Sequence, residues 1–284
     1  MGRFVDATAV TRHGDGFRAE LDPDWFIWGP FGGYLAALSL RAMCAASALT
    51  RPAAFSCQYL NAGVAGAVDI HVEVRRPGKR AGLLRASIVQ NEKVLLDAQA
   101  WLTADGLSGL AHDDAMIPPI ARPDELESWN GYADNEESLS AIWSHIERKP
   151  APEFRSLGQA PGVPQWRSWV RLAEDMPDDD PALLAARALL WMDMGPWNTA
   201  LVAYAPPTMY LAPTLDLTVQ FQPHLCRPDT GSRWQLIDVA SPSVGEGLFG
   251  ANGRLWSESG KLVAIGSAQA LCVPNPRYKP ASRQ

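Results

Sequence analysis

Asp216 sits in the run Leu215-Asp216-Leu217-Thr218-Val219-Gln220-Phe221, where apolar and polar residues alternate. A carboxylate in an apolar strand is costly to bury unpaired, so it calls for a partner. A strand-end Asp open to water is the plainer alternative. Gln269, 53 residues further on, carries a donor and an acceptor on one carboxamide; an ordinary amide on a sheet face has the same appearance. Gly32-Gly33, followed by Tyr34, opens an Ala- and Leu-rich stretch. Glycines there let a backbone approach a ligand closely, and the first free N–H groups of a helix, with its dipole, suit an electron-rich oxygen. A loop-to-helix turn that needs Gly for steric reasons reads the same way.

Other chemistries find little support. No G-x-S-x-G elbow exists, which argues against an α/β-hydrolase. Gly245-Glu246-Gly247-Leu248-Phe249-Gly250 matches the dinucleotide-binding spacing, but Arg254-Leu255-Trp256-Ser257 after it reads as strand and turn where a helix is required. The five histidines lack metal-ligand spacing, so no metal is expected. Cys44, Cys57, Cys226 and Cys272 form no C-x-x-C and read as reduced thiols of a cytoplasmic protein. The 284 residues carry 20% charged side chains and a net charge of -6, which argues against disorder and against a nucleic-acid binder. The first apolar stretch, around 34–49, is broken by Ser39 and Arg41, so neither a signal peptide nor membrane insertion is expected. Arg75-Arg76-Pro77-Gly78-Lys79-Arg80 is a basic turn that suits phosphates, as do Arg227 and Arg233; a solvated turn serves as well.

The elements that must hold these residues come in two similar series. In the first, Phe4–Val10 and Gly16–Leu21 read as strands, Gly33–Ala48 as a buried helix, and Ala54–Leu60, Val68–Arg75, Leu83–Gln90 and Lys93–Thr103 as strands. Residues 104–153 are rich in Asp, Glu and Pro and form a linker with one amphipathic helix, Glu136–Arg148. The second series is a strand at Gln165–Leu172, a helix at Pro181–Met194 and strands at Leu215–Phe221, Trp234–Ala240, Leu248–Trp256 and Lys261–Val273. Leu95–Leu102 resembles Ile265–Cys272, and Ser56 then falls where Asp216 falls in the second copy, with Gln99 matching Gln269. The domains expected are 1–103, the linker 104–153, 154–274 and a tail 275–284.

Trp28–Ala36, Leu215–Phe221 and Gly260–Ala264 with Gln269 together resemble the acyl-CoA thioesterase II family. The implied fold is α+β, a double hotdog, in which two antiparallel sheets each wrap a long central helix and pair into one continuous sheet. The implied activity is hydrolysis of an acyl-CoA to free acid and coenzyme A, in lipid metabolism. Coenzyme A is then part of the substrate, and no separate cofactor is expected. The resemblance implies that Asp216 and Gln269 hold the attacking water, and that the helix start at Gly32, Gly33 and Tyr34 meets the thioester oxygen. The family's third water ligand is a Thr within a Ser-Thr-Ser run; here the run is Ser241-Pro242-Ser243, and Pro cannot donate. Ser241 or Ser243 takes that role if a bulge at Pro242 re-aims one hydroxyl. A homodimer or larger homo-oligomer is also implied. Trp28, Trp191 and Trp197 are further candidates for the lining. The alternatives are an acyl-CoA-binding hotdog protein without catalysis, and a hotdog-type enoyl-CoA hydratase, against which stands the lack of the hydratases' Asp and His spacing.

Overall fold

The computed structural model describes residues 3–129, 140–152, 164–201, 210–226 and 233–275. The first half comprises α1 (Phe4–Ala7), β1 (Thr11–His13), β2 (Gly16–Leu21), α2 (Gly32–Ala45), β3 (Arg51–Tyr59), β4 (Gly66–Arg76), β5 (Ala81–Gln90) and β6 (Lys93–Thr103). The second comprises β7 (Ile146–Pro150), β8 (Gln165–Leu172), α3 (Pro181–Leu201), β9 (Tyr210–Leu211), β10 (Thr214–Phe221), β11 (Gln235–Gly245), β12 (Leu248–Ser257), β13 (Leu262–Leu271) and β14 (Val273–Pro274).

Twelve of the strands make one antiparallel sheet in the order β1-β2-β4-β5-β6-β3-β10-β13-β12-β11-β8-β7. Helices α2 and α3 pack on each other and against the same face of this sheet. The architecture is the double hotdog that the paired series of elements imply. Alanine and leucine supply the helix propensity, and α2 is buried around most of its circumference, from Gly33 to Leu40 and at Ala42 and Met43.

The halves meet where β3 pairs with β10, with Gln58 opposite Asp216 and Ser56 opposite Thr218. On the next strands outward, Ser56 lies opposite Gln99 and Asp216 opposite Gln269. The register therefore relates Ser56 and Gln99 to Asp216 and Gln269, as the sequence repeat requires. In β10, Leu217, Val219 and Phe221 are buried toward the helices, so the alternation turns Asp216, Thr218 and Gln220 to the other face.

Four expectations change. Phe4–Ala7 is a short helix, its Phe4 ring packed edge-on to Trp25, where a strand was read. Helix α3 continues through Gly195-Pro196 to Leu201, because α3 is buried and Pro196 interrupts only one turn. The linker helix is not formed over its described part: Ala141–Ser144 is a 3-10 turn and Ile146–Pro150 is a strand, while 136–139 lie outside the described residues. Strand β7 pairs with β8, so the second sheet begins before residue 154. Part of the acidic stretch also covers the sheet face away from the helices, where Ile117, Ile120 and Leu126 pack on Trp169, Trp234 and Trp256.

Candidate active site

Helix α2 begins with Phe31 at its cap position, and Phe31 has no side chain that can accept its first N–H groups. The acceptor comes from the other half. Gly33 N–H donates to Asp193 Oδ2 at 2.8 Å, across 160 residues of sequence. Thr214, the first residue of β10, donates its hydroxyl to Asp193 Oδ1 at 3.3 Å. Burial pushes the Asp193 carboxyl up to about 6, against these two hydrogen bonds, which favour its charged form. The Gly33 amide is therefore already engaged by a carboxylate and is not open to a substrate oxygen. Gly33 also marks a close crossing, since a Cβ there would stand 2.7 Å from Leu190 Cα.

Gly32, Tyr59, Asp193 and Thr214 border a cavity of about 330 Å³ whose apolar walls include Trp28 and Trp197. Trp197 leans on Phe249, with 5.8 Å between ring centroids. The Tyr59 hydroxyl is buried with no hydrogen-bond partner among the described residues. The Cys57 thiol is near it without meeting hydrogen-bond geometry. Burial, then the charge of Asp193, holds the phenol well above its usual range, so it stays neutral.

Tyr34 and Trp191, both expected near substrate, belong to the core. Tyr34 Oη lies 3.0 Å from the carbonyls of Ala7 and of Glu20 and accepts from Asp22 N–H. Burial pushes its pKa up to about 12. Trp191 Nε1 donates to Gln235 Oε1 at 2.9 Å.

Asp216 and Gln269 form the second cluster, as direct partners across β10 and β13 on the face away from the helices. Gln58 flanks Asp216 from β3, so a carboxylate stands between two carboxamides, one from each half. Gly250 follows Gln269 on β12, and a Cβ there would press on Gln269 Oε1 at 3.1 Å. Glycine thus leaves room for the carboxamide. Next comes Ser243, opposite Gly250, with a bulge between Ala240 and Ser243. The bulge at Pro242 separates the two serine candidates. Ser243 joins this row, whereas Ser241 is buried and donates to Gly250 O at 2.9 Å. The structure thus sets Asp216, Gln269 and Ser243 in one row across β10, β13, β12 and β11, with only Asp216 and Gln269 on neighbouring strands, and puts Gly32 and Gly33 with Asp193 on the helix side of β10. Sequence reasoning missed Asp193, Tyr59 and Gln58; for Gln58 the seam register was the available signal, two residues on from Ser56.

Of the cations considered for phosphates, Arg75 pairs with Glu73 and Arg233 with Asp175, while Arg227 lies outside the described residues. Among the described residues no cluster of three metal-ligating side chains comes together, and no helix is long and apolar enough to cross a membrane.

The raised pKa of Asp193 has a sign that stability measurements read directly. Between about pH 4 and 6 the folded chain holds a proton that the unfolded chain has released. The stability this group contributes is thus complete below its unfolded value and is lost as pH rises through about 6. Asp193→Asn keeps an acceptor for Gly33 and a donor for Thr214 without the buried charge. It should be more stable than the wild type above pH 6, by on the order of 3 kcal/mol at most, and match it below about pH 4. Urea unfolding at three pH values checks this; a gap that does not change with pH contradicts it.

Two family models match the chain: an acyl-CoA thioesterase N-terminal domain over residues 21–103 and an acyl-CoA thioesterase C-terminal domain over residues 119–273. No curated protein matches it. Among solved structures, a conserved hot dog fold protein of unknown function from Alicyclobacillus acidocaldarius is similar at 20% identity and a TM-score of 0.81, covering 96% of this chain and 98% of that one. An acyl-CoA thioesterase II from Mycobacterium marinum is similar at 21% identity and a TM-score of 0.77, covering 97% and 100%.

Proposed function

The chain belongs to the acyl-CoA thioesterase family, and from that premise we propose that it hydrolyses an acyl-CoA to the free acid and coenzyme A. The observation that carries the reading is the ladder pairing of Asp216 with Gln269. A water between them donates one proton to the carboxylate and is fixed by the carboxamide, leaving a lone pair for the carbonyl carbon. Its oxygen adds as Asp216 takes the proton; the C–S bond then breaks and the departing thiolate takes that proton back. The Gln58 amide, on the other flank of Asp216, is the donor assigned to the developing oxyanion, because Gly33 N–H is engaged elsewhere. Ser243 stands two strands beyond Gln269 in the same row, roughly 10 Å away at about 4.8 Å per strand, too far to share that water.

The acyl chain is assigned to the cavity. At about 330 Å³ it has room for on the order of ten methylene-sized groups, taking roughly 30 Å³ for each, a water's share of liquid volume. The thioester is then assigned to the start of β10, where Thr214 borders the cavity and Asp216 follows two residues on, past a break in register. The four cysteines are free thiols, which suits a cytoplasmic setting, and a homodimer or larger homo-oligomer remains part of this reading. The test is release of free thiol from acyl-CoA substrates of graded chain length. Turnover with a medium-chain optimum is expected. Binding of acyl-CoA with no turnover at any length replaces the hydrolase with a binding protein.

A further inference from the structure

We infer that the stretch joining the two halves sets how long an acyl chain the cavity takes, with Trp143 as the end stop. This rests on the hydrolase reading for what the ligand is. Trp143 stands on the 3-10 turn Ala141–Ser144 and borders the cavity. Every other described residue of the wall belongs to one of the two helix-and-sheet series, whereas Trp143 comes from the chain between them. Exposure tells the two ends of the cavity apart. Trp28 and Leu60 are half-exposed and mark the mouth. Leu35, one turn into α2 from Gly32, and Met194 are buried in the core and mark the inner end. Trp143 packs against that same core, and its neighbour Ile142 is fully buried in it.

The indole is also braced. The Arg148 guanidinium lies over it, 4.0 Å from the ring centre, and over the Trp129 ring at 4.9 Å. The turn behind it is fixed at His145, whose ring stacks on Trp25 with 5.0 Å between centroids and whose Nε2 lies 3.7 Å from Asp24 Oδ2. The carbonyl of His145 accepts from the Ala173 N–H at 2.9 Å. A methylene beyond the ring must therefore displace a side chain held in close-packed surroundings.

The test uses S-alkyl coenzyme A thioethers of graded length, which have no carbonyl to hydrolyse, and reads their affinities by calorimetry. For the wild type, affinity should rise about fourfold per buried methylene and level off where the chain end meets Trp143. Trp143→Ala should move that break to chains about two to four carbons longer, since the ring it removes frees room for roughly four methylene-sized groups at about 30 Å³ each. Trp143→Phe should move it less, and the turnover optimum with the matching acyl-CoAs should follow the break.

An unchanged break in Trp143→Ala overturns the inference, as does a loss of affinity that is equal at all lengths. So does a wild type that binds no thioether, or whose affinity never levels off. Should the Ala variant not fold, Trp143→Phe decides, and an unchanged break there is equally fatal. If the break is found and shifts as expected, yet no acyl-CoA is turned over, the hydrolase reading falls and the role of Trp143 stands.

Discussion

Asp216→Asn should lower kcat by about 1000-fold, in the middle of the range that a positioned acid or base contributes. The substitution is nearly isosteric and leaves position 216 opposite Gln269 in the β10–β13 ladder. What it loses is the ability to take a proton from water. Asp216 is half-buried and faces away from the packed helices, so folding should change by no more than about 0.5 kcal/mol. The expected signature is therefore a collapse of kcat with an unchanged melting temperature and a nearly unchanged KM. A variant that keeps its rate removes Asp216 from the chemistry and directs attention to the other carboxylate at this end of the sheet, Asp193.

Gly33→Ala should damage the fold severely. The added Cβ would meet Leu190 Cα at 2.7 Å, with the carbonyl oxygens of Leu189 and Leu190 at 3.0 and 3.1 Å. All three are backbone atoms of α3, so no side chain can rotate away. The helices must separate, and the Gly33–Asp193 hydrogen bond lengthens with them. Overpacking of a close-packed core costs about 1–3 kcal/mol, and the lost bond to a charged acceptor adds to it. A loss of roughly 4 kcal/mol is expected, read as a lower urea midpoint at constant m-value. Gly32→Ala makes a useful contrast. Its Cβ would meet the side chains of Asp193 at 2.7 Å and Tyr59 at 3.0 Å, which can move, so its cost to folding should be smaller.

Most strands were legible because their alternation is long. Lys93–Thr103 and Gln165–Leu172 are found with the ends the pattern suggests. Phe4–Val10 was not legible: over seven residues a two-residue and a 3.6-residue period are hard to tell apart, and packing on Trp25 favours the helix. Glu136–Arg148 has helical spacing, yet its later residues are claimed by an edge of the sheet, because β8 needs a partner. The site divides in the same way. That Asp216 and Gln269 stand on neighbouring strands could be read because each lies in a strand repeated elsewhere in the chain. Asp193 carried no such signal. It is one acidic residue in a long Ala- and Leu-rich helix, and its strongest contact lies 160 residues away in sequence. The choice between Ser241 and Ser243 depended on where a bulge falls, which a single Pro permits without specifying.

The seam between β3 and β10 has a consequence for ancestry. Two identical units paired there would carry the same residue at positions 56 and 216, as a matter of symmetry. Because Asp216 faces Gln58, position 56 is its diagonal neighbour, about 7–8 Å away on the same face. A symmetric ancestor with an aspartate in each unit would thus have held two like charges side by side, each raising the cost of ionising the other. In a dimer of identical chains no mutation can relieve one without destroying both. Joining the copies into one chain lifts that constraint, and at the two related positions this chain carries one carboxylate, Asp216, and one hydroxyl, Ser56.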